Sequence, residues 1–256
     1  MARCAFVEWP EGLEPAGETW DILSRQVREA RPDILVTNEM PFGDWIASAH
    51  QFDDGIARAS VALHEQGLAA LRTLGVPAII SSRPVPFAGR LANEAFVLEG
   101  DQVRTLHRKQ FFPEEEGWYE ATWFGGDGSG FVIHAVAGVK VGVLLCTELM
   151  FNEHARHYGR SGADLIAVPR ATEMSHEKWE TAAAMAAIVS GSYVLSSNRV
   201  GKSADSPAFG GRGLAFAPDG SRLAQTSAES PLVVVEIDAG LSRQQKAEYP
   251  CYVAEA

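Results

Sequence analysis

Cys146 stands directly after the apolar run Val141-Gly-Val-Leu-Leu145 and directly before Thr147-Glu148. The run reads as a buried strand, so the thiol closes it at the carboxyl end, where open α/β sheets place their chemistry. Glu39 follows Asp33-Ile-Leu-Val-Thr-Asn38 in the same way, and Lys109 follows Gln102-Val-Arg-Thr-Leu-His-Arg108. A thiol is mostly protonated at neutral pH and needs activation before it attacks. Glu39 is the candidate general base for its proton. Lys109 is the candidate cation that favours the thiolate and later steadies an oxyanion. The backbone N–H of Thr147 completes an oxyanion hole if a helical turn opens there. Such a set suits attack on an sp or sp² carbon bonded to nitrogen. Ammonia or an amine would leave, and water would hydrolyse the thioester. No cofactor is needed.

The elements that must carry these residues alternate. Cys4 to Trp9 reads as a strand and Glu18 to Ala30 as a helix, with Leu23, Val27 and Ala30 on one face. A strand over Ile34 to Asn38, a long helix over Ile56 to Leu74 with Gly75 as its C-cap, and a strand over Val76 to Ser82 follow. Hairpins come next: Asn93–Leu98 with Gln102–Leu106, then Phe131–Val136 with Lys140–Leu145. Beyond Cys146 the pattern reads helix Asn152–Tyr158, strand Ala163–Pro169, helix Ser175–Val189 and strand Tyr193–Ser197. A hairpin, Leu214–Ala217 with Arg222–Thr226, and a closing strand, Leu232–Ile237, complete it. This order implies mixed sheets covered by helices, an α/β layered architecture in one domain spanning 1–256.

The 256 residues suffice for a large core, and 46% apolar with 21% charged residues is ordinary for a soluble globular enzyme. A net charge of -11 disfavours nucleic acid and anionic membrane surfaces as partners. No apolar stretch approaches the ~18 residues of a spanning helix. The N-terminus lacks the pattern of a signal peptide. Three cysteines, Cys4, Cys146 and Cys251, do not read as a disulfide framework, so a cytoplasmic location is expected. None has CxxC spacing and no metal site is expected; His154 and His157, three apart on one helix face, lack further ligands nearby.

Asn38-Glu39-Met-Pro, Leu106-His-Arg-Lys109-Gln-Phe-Phe-Pro113 and Gly142-Val-Leu-Leu-Cys146-Thr-Glu148 resemble, in order and spacing, the three signature regions of the nitrilase (carbon–nitrogen hydrolase) superfamily. The resemblance covers nearly the whole chain. It implies a four-layer α-β-β-α sandwich, a Glu-Lys-Cys triad, and hydrolysis of a small amide, carbamoyl compound or nitrile. It also implies a homodimer or higher homo-oligomer. A second glutamate that contacts the lysine is implied as well. Glu120 fits best, and Glu116 is the alternative because the run Glu114-Glu115-Glu116 blurs the alignment. Two places depart from the family pattern: Thr147 stands where an aromatic residue or Asn is common, and Phe111 where a histidine is usual. Cys146-Thr-Glu148 partly matches true nitrilases, whereas the chain length is closer to the amidase branches.

Around this triad, Glu148 is expected either at the substrate's polar end or capping the helix near Phe151. Arg170, after its strand, is expected at a substrate carboxylate or paired with Glu148. Phe42, Trp45, Trp118 and Phe151 are candidate pocket walls. The leading reading is an amidase-type hydrolase, with a nitrilase as runner-up. A Cys146 pairing with His107 or His134 is a third reading, and a catalytically idle binding subunit a fourth.

Overall fold

The computed structural model describes residues 1–254. In chain order its elements are β1 (Ala2–Pro10), α1 (Glu18–Ala30), β2 (Ile34–Val36), α2 (Asp54–Arg72), β3 (Ala78–Phe87), β4 (Arg90–Glu99), β5 (Gln102–Arg108), β6 (Glu114–Glu115), β7 (Trp118–Tyr119), α3 (Glu120–Trp123), β8 (His134–Val136) and β9 (Val139–Val143). They continue with α4 (Asn152–Arg160), β10 (Leu165–Arg170), α5 (His176–Ser190), β11 (Tyr193–Gly201), β12 (Phe209–Gly210), β13 (Leu214–Phe216), β14 (Arg222–Gln225), β15 (Leu232–Ile237) and α6 (Ala239–Lys246).

Strands pair along the path β5-β4-β3-β2-β1-β11-β10-β9-β8. β1 belongs to both halves of it. Cys4 to Phe6 pair in parallel with β2, and Glu8 to Pro10 pair in parallel with β11. The halves then face one another. One buried cluster takes Phe6, Ile34, Ile80 and Val97 from the first half and Val141, Val143, Leu165 and Leu195 from the second. The alternate residues of the first half, among them Val7, Leu35 and Ile79, pack outward on Leu23 and Val27 of α1 and Leu68 and Leu71 of α2. Those of the second half, Ile166, Val168 and Val194, pack on Tyr158 of α4 and Ala183 and Ala187 of α5. The period of two along each strand thus builds the α-β-β-α order of layers.

Several elements differ from the sequence expectation: β6, β7, α3, β12 and α6 are absent from it, Thr73 rather than Gly75 caps α2, and β3 extends further. β3 does not stop at Ser82 but runs through Pro84 and Pro86 to Phe87, and pairs along its length with β4. Along β3, β2 reaches only Ala78 to Ile80. The prolines therefore lie where one edge of β3 has no neighbour, and their missing N–H groups break no ladder there. α6 follows the closing strand, started by Asp238, whose carboxylate accepts from the Gly240 N–H at 2.7 Å.

Two glycines permit close packing. A Cβ on Gly142 would meet the Tyr158 ring at 2.6 Å, and one on Gly67 would meet the Phe42 ring at 2.2 Å. Gly142 precedes the segment that carries Cys146, and Tyr158 donates its hydroxyl to the Val143 carbonyl at 2.7 Å. The strand that leads to Cys146 is thereby pinned to α4.

Candidate active site

The carboxyl ends of strands from both sheets meet at one place. The Glu39 N–H donates to the Arg170 carbonyl at the end of β10 (3.1 Å), and the Lys109 N–H to the Asn93 carbonyl in β4 (3.0 Å). Lys109 extends its ammonium between two carboxylates, 2.9 Å from Glu39 Oε1 and 2.5 Å from Glu120 Oε2. Lys109, Glu39 and Glu120 have no solvent exposure, and Cys146 is 3% exposed. Glu39 Oε1 also accepts from Asn93 Nδ2 at 2.7 Å, while Glu39 Oε2 and Glu120 Oε1 have no hydrogen-bond partner. One oxygen of each carboxylate is therefore occupied by its holder, and the other keeps its lone pairs free.

Cys146 opens a 3₁₀ turn, Cys146–Met150, with φ +52°, in the left-handed region that costs a non-glycine residue about 1–2 kcal/mol. Glu148 holds that turn. Its carboxylate accepts from the Leu145 N–H at 2.8 Å and from the Gln110 N–H at 2.7 Å. His107 Nε2 lies 2.8 and 3.0 Å from the two Glu148 oxygens, so its N–H donates to the same carboxylate. One buried side chain thus ties the turn of Cys146 to the segment that carries Lys109. The thiol of Cys146 points to the Ala171 carbonyl at 3.7 Å.

Burial sets the protonation states. Burial, with the Glu39 carboxylate adding to it, pushes the Cys146 thiol well above its ordinary range, against the opposing pull of Lys109. Burial also raises the Glu120 carboxyl to about 8, despite the ammonium beside it. For Lys109 burial acts against the charge, but Glu120 and Glu39 together outweigh it and hold the amine above its ordinary value. The resting set is a neutral thiol beside an ammonium, with the Glu120 carboxyl raised by burial.

A cavity of about 200 Å³ opens on this set and is lined by Glu120, Cys146, Thr147 and Trp118, with Met150, Thr172 and Trp179 among the other walls. Glu120 touches the lysine; Glu116 is exposed on the surface. Five expected wall or substrate residues do not line the cavity. Phe42 packs in the outer core between Trp20, at 5.5 Å, and His64, at 6.0 Å, because Gly67 of α2 leaves room for its ring. Glu148 neither faces the cavity nor caps α4; the backbone N–H groups around Cys146 claim it. Arg170 neither lines the cavity nor meets Glu148. It donates to Ser196 Oγ (2.5 Å), Thr172 Oγ1 (3.0 Å) and the Arg212 carbonyl (2.9 Å), and lies 5.3 Å from the Trp179 ring. It braces two cavity residues from behind. Phe151 stacks on Phe111 at 4.3 Å, and Trp45 backs Trp118 at 5.9 Å. His107 is held by Glu148, and His134 by the Leu106 carbonyl at 2.8 Å.

Asn93 and Trp179 were not found by sequence reasoning. A lone Asn in the apolar run of β4 is the one signal that could have marked the first. Nothing local marks Trp179, which faces the cavity only because α5 packs over β10.

The family model for carbon–nitrogen hydrolases matches residues 13–247. A glutamine-dependent NAD(+) synthetase of Xanthomonas campestris is 28% identical over 180 residues, which cover 69% of this chain and 32% of that protein. The match thus spans about a third of that relative's length. An (R)-stereoselective amidase of a Pseudomonas species is 23% identical over 223 residues, 85% of this chain and 77% of that one. Among solved structures, a carbon–nitrogen hydrolase from Helicobacter pylori G27 superposes with a TM-score of 0.86 at 21% identity, covering 98% of this chain and 94% of that chain.

Proposed function

Because this chain belongs to the carbon–nitrogen hydrolase family and is a carbon–nitrogen hydrolase, we propose that it is an amidase whose Cys146 attacks a small linear amide or N-carbamoyl compound. The observation that carries this reading is the ammonium of Lys109 held between Glu39 and Glu120 beside the cavity that Cys146 lines.

The thiol is kept neutral by its surroundings, so attack cannot draw on a standing thiolate. The proton passes to the free Glu39 Oε2 as the sulfur–carbon bond forms. The carbonyl oxygen becomes an oxyanion, stabilised by the Lys109 ammonium and the Thr147 N–H at the start of the 3₁₀ turn. Glu39 returns the proton to the nitrogen, the carbon–nitrogen bond breaks, and ammonia or an amine leaves. Water then adds to the thioester. Its proton goes to a carboxylate oxygen of the set, the sulfur–carbon bond breaks, and the thiol is restored. The balance is amide plus water giving carboxylic acid plus ammonia. Glu120, which lines the cavity and keeps Oε1 free, orients the substrate nitrogen or the water.

The amide is preferred over the nitrile for two reasons. An amidase is among the relatives aligned over most of the chain. The partial likeness to nitrilases rests on Glu148, whose carboxylate is turned to backbone N–H groups. The test is a panel of short amides, N-carbamoyl compounds and matching nitriles, read by ammonia release and by the intact mass of the protein. An acyl adduct on Cys146 and ammonia from amides are expected, with neither in Cys146→Ala, which folds at a cost of about 1–2 kcal/mol or less. Ammonia release that survives in Cys146→Ala, or that comes from nitriles alone, would refute the reading.

A further inference from the structure

Arg199 lies in β11 and is wholly buried. Its guanidinium donates to the backbone carbonyls of Glu39 (3.3 Å), Gly43 (2.9 Å) and, at closer range, Met40. It also forms a close ion pair with Glu11, both side chains being shut away from solvent. Glu11 in turn accepts from the Trp45 N–H at 2.9 Å. One ion pair therefore grips both ends of the loop from Glu39 to Trp45.

That loop is not at ease. Met40, immediately after Glu39, has φ +41°. A residue held there relaxes unless its surroundings over-determine it. The carbonyls of Glu39 and Met40 are the groups Arg199 takes, so the clamp acts on the peptide where the chain turns. The side chain of Glu39 is held from its other end by Asn93 and Lys109. Neither Arg199 nor Glu11 lines the cavity, and the reaction uses neither. Stability is a poor account of the pair, because desolvation offsets most of what a buried ion pair contributes.

We propose that the Arg199–Glu11 pair is a positioning device for the reaction: it fixes the strained turn after Glu39 and so holds the free Glu39 oxygen in line with the Cys146 proton. The inference rests on Glu39 being the base.

The experiment measures kcat and KM for one short amide in Arg199→Lys and Glu11→Gln, each made in the wild-type and the Glu39→Asp background. Lysine keeps the charge but cannot span the three carbonyls and the carboxylate. Glutamine keeps the shape of Glu11 and its contact with Trp45. In the wild-type background kcat falls about 10- to 100-fold, since a base displaced by a fraction of an ångström to an ångström costs that much. KM stays within about threefold, because the cavity walls are not touched. In the Glu39→Asp background, where the carboxylate is already withdrawn, the same substitutions cost less than about threefold. Equal losses in both backgrounds, or kcat and KM changing together, overturn the proposal. If Arg199→Lys does not fold, Glu11→Gln reads the same cycle, and unfolding of both makes the pair structural and overturns it too. A Glu39→Asp enzyme as active as wild type would instead remove the base assignment itself.

Discussion

Glu120 provides the sharpest test of how burial sets this site. Its carboxyl is raised from an ordinary 4.5 to about 8, chiefly by burial. A carboxyl whose folded value is raised binds its proton more tightly in the folded state. Between about pH 4.5 and 8 the folded protein therefore carries a proton that the unfolded chain has lost. Stability contributed by this group is full below pH 4.5 and is lost as pH rises through 8. At 1.36 kcal/mol per pH unit the span corresponds to roughly 5 kcal/mol. Glu120→Gln copies the protonated acid: its carbonyl can still accept from Lys109, and it does not titrate. Urea unfolding of both proteins from pH 5 to 8.5 reads the difference directly. The two should have similar stability near pH 5. The variant should gain on the wild type by up to roughly 4 kcal/mol between about pH 5 and 8. A difference that does not change with pH, or a wild type that gains on the variant as pH rises, would mean that Glu120 is ionised throughout. The burial argument would then be wrong.

Other consequences can be checked in the same way. His64 is buried, and desolvation lowers its imidazole from 6.5 to about 4. Its neutral form is the folded one, so stability is lost as pH falls from 6.5 to 4, by about 3 kcal/mol. His64→Leu should flatten that limb of the urea midpoint profile. Gly67→Ala places a methyl 2.2 Å from the Phe42 ring and should cost about 1–3 kcal/mol in thermal or urea unfolding. Glu148→Gln leaves one acceptor oxygen for the Leu145 and Gln110 N–H groups. About 1–3 kcal/mol of destabilisation and a strongly reduced kcat are expected, measured by unfolding and amide turnover.

Much of the layered architecture was legible before any coordinates. Short, largely apolar runs such as Val141 to Leu145 and Ala163 to Val168, rich in branched residues and too short for a buried helix, read as strands from local sequence. The hairpins at Gly100-Asp101 and at Ala137-Gly138 were legible for a similar reason, since tight turns need particular residues. The extension of β3 was not. Proline normally argues against a strand, and only the shortness of β2 leaves an edge where Pro84 and Pro86 do no harm.

For the site, the chain alone determined that a carboxylate, an amine and a thiol each stand just past a strand. Strand ends are fixed by local hydrophobic pattern, and that pattern is written residue by residue. The tertiary structure decided everything that depends on which side of a turn a side chain leaves. It set Glu120 on the lysine rather than Glu116, turned Glu148 to the backbone, sent Phe42 into the outer core and Arg170 behind the cavity. It also brought Arg199 to the loop of Glu39 across 160 positions of chain. Such contacts follow from how two sheets stack and where each loop is pinned. Their energies belong to pairs of distant residues, and no single stretch of sequence contains them.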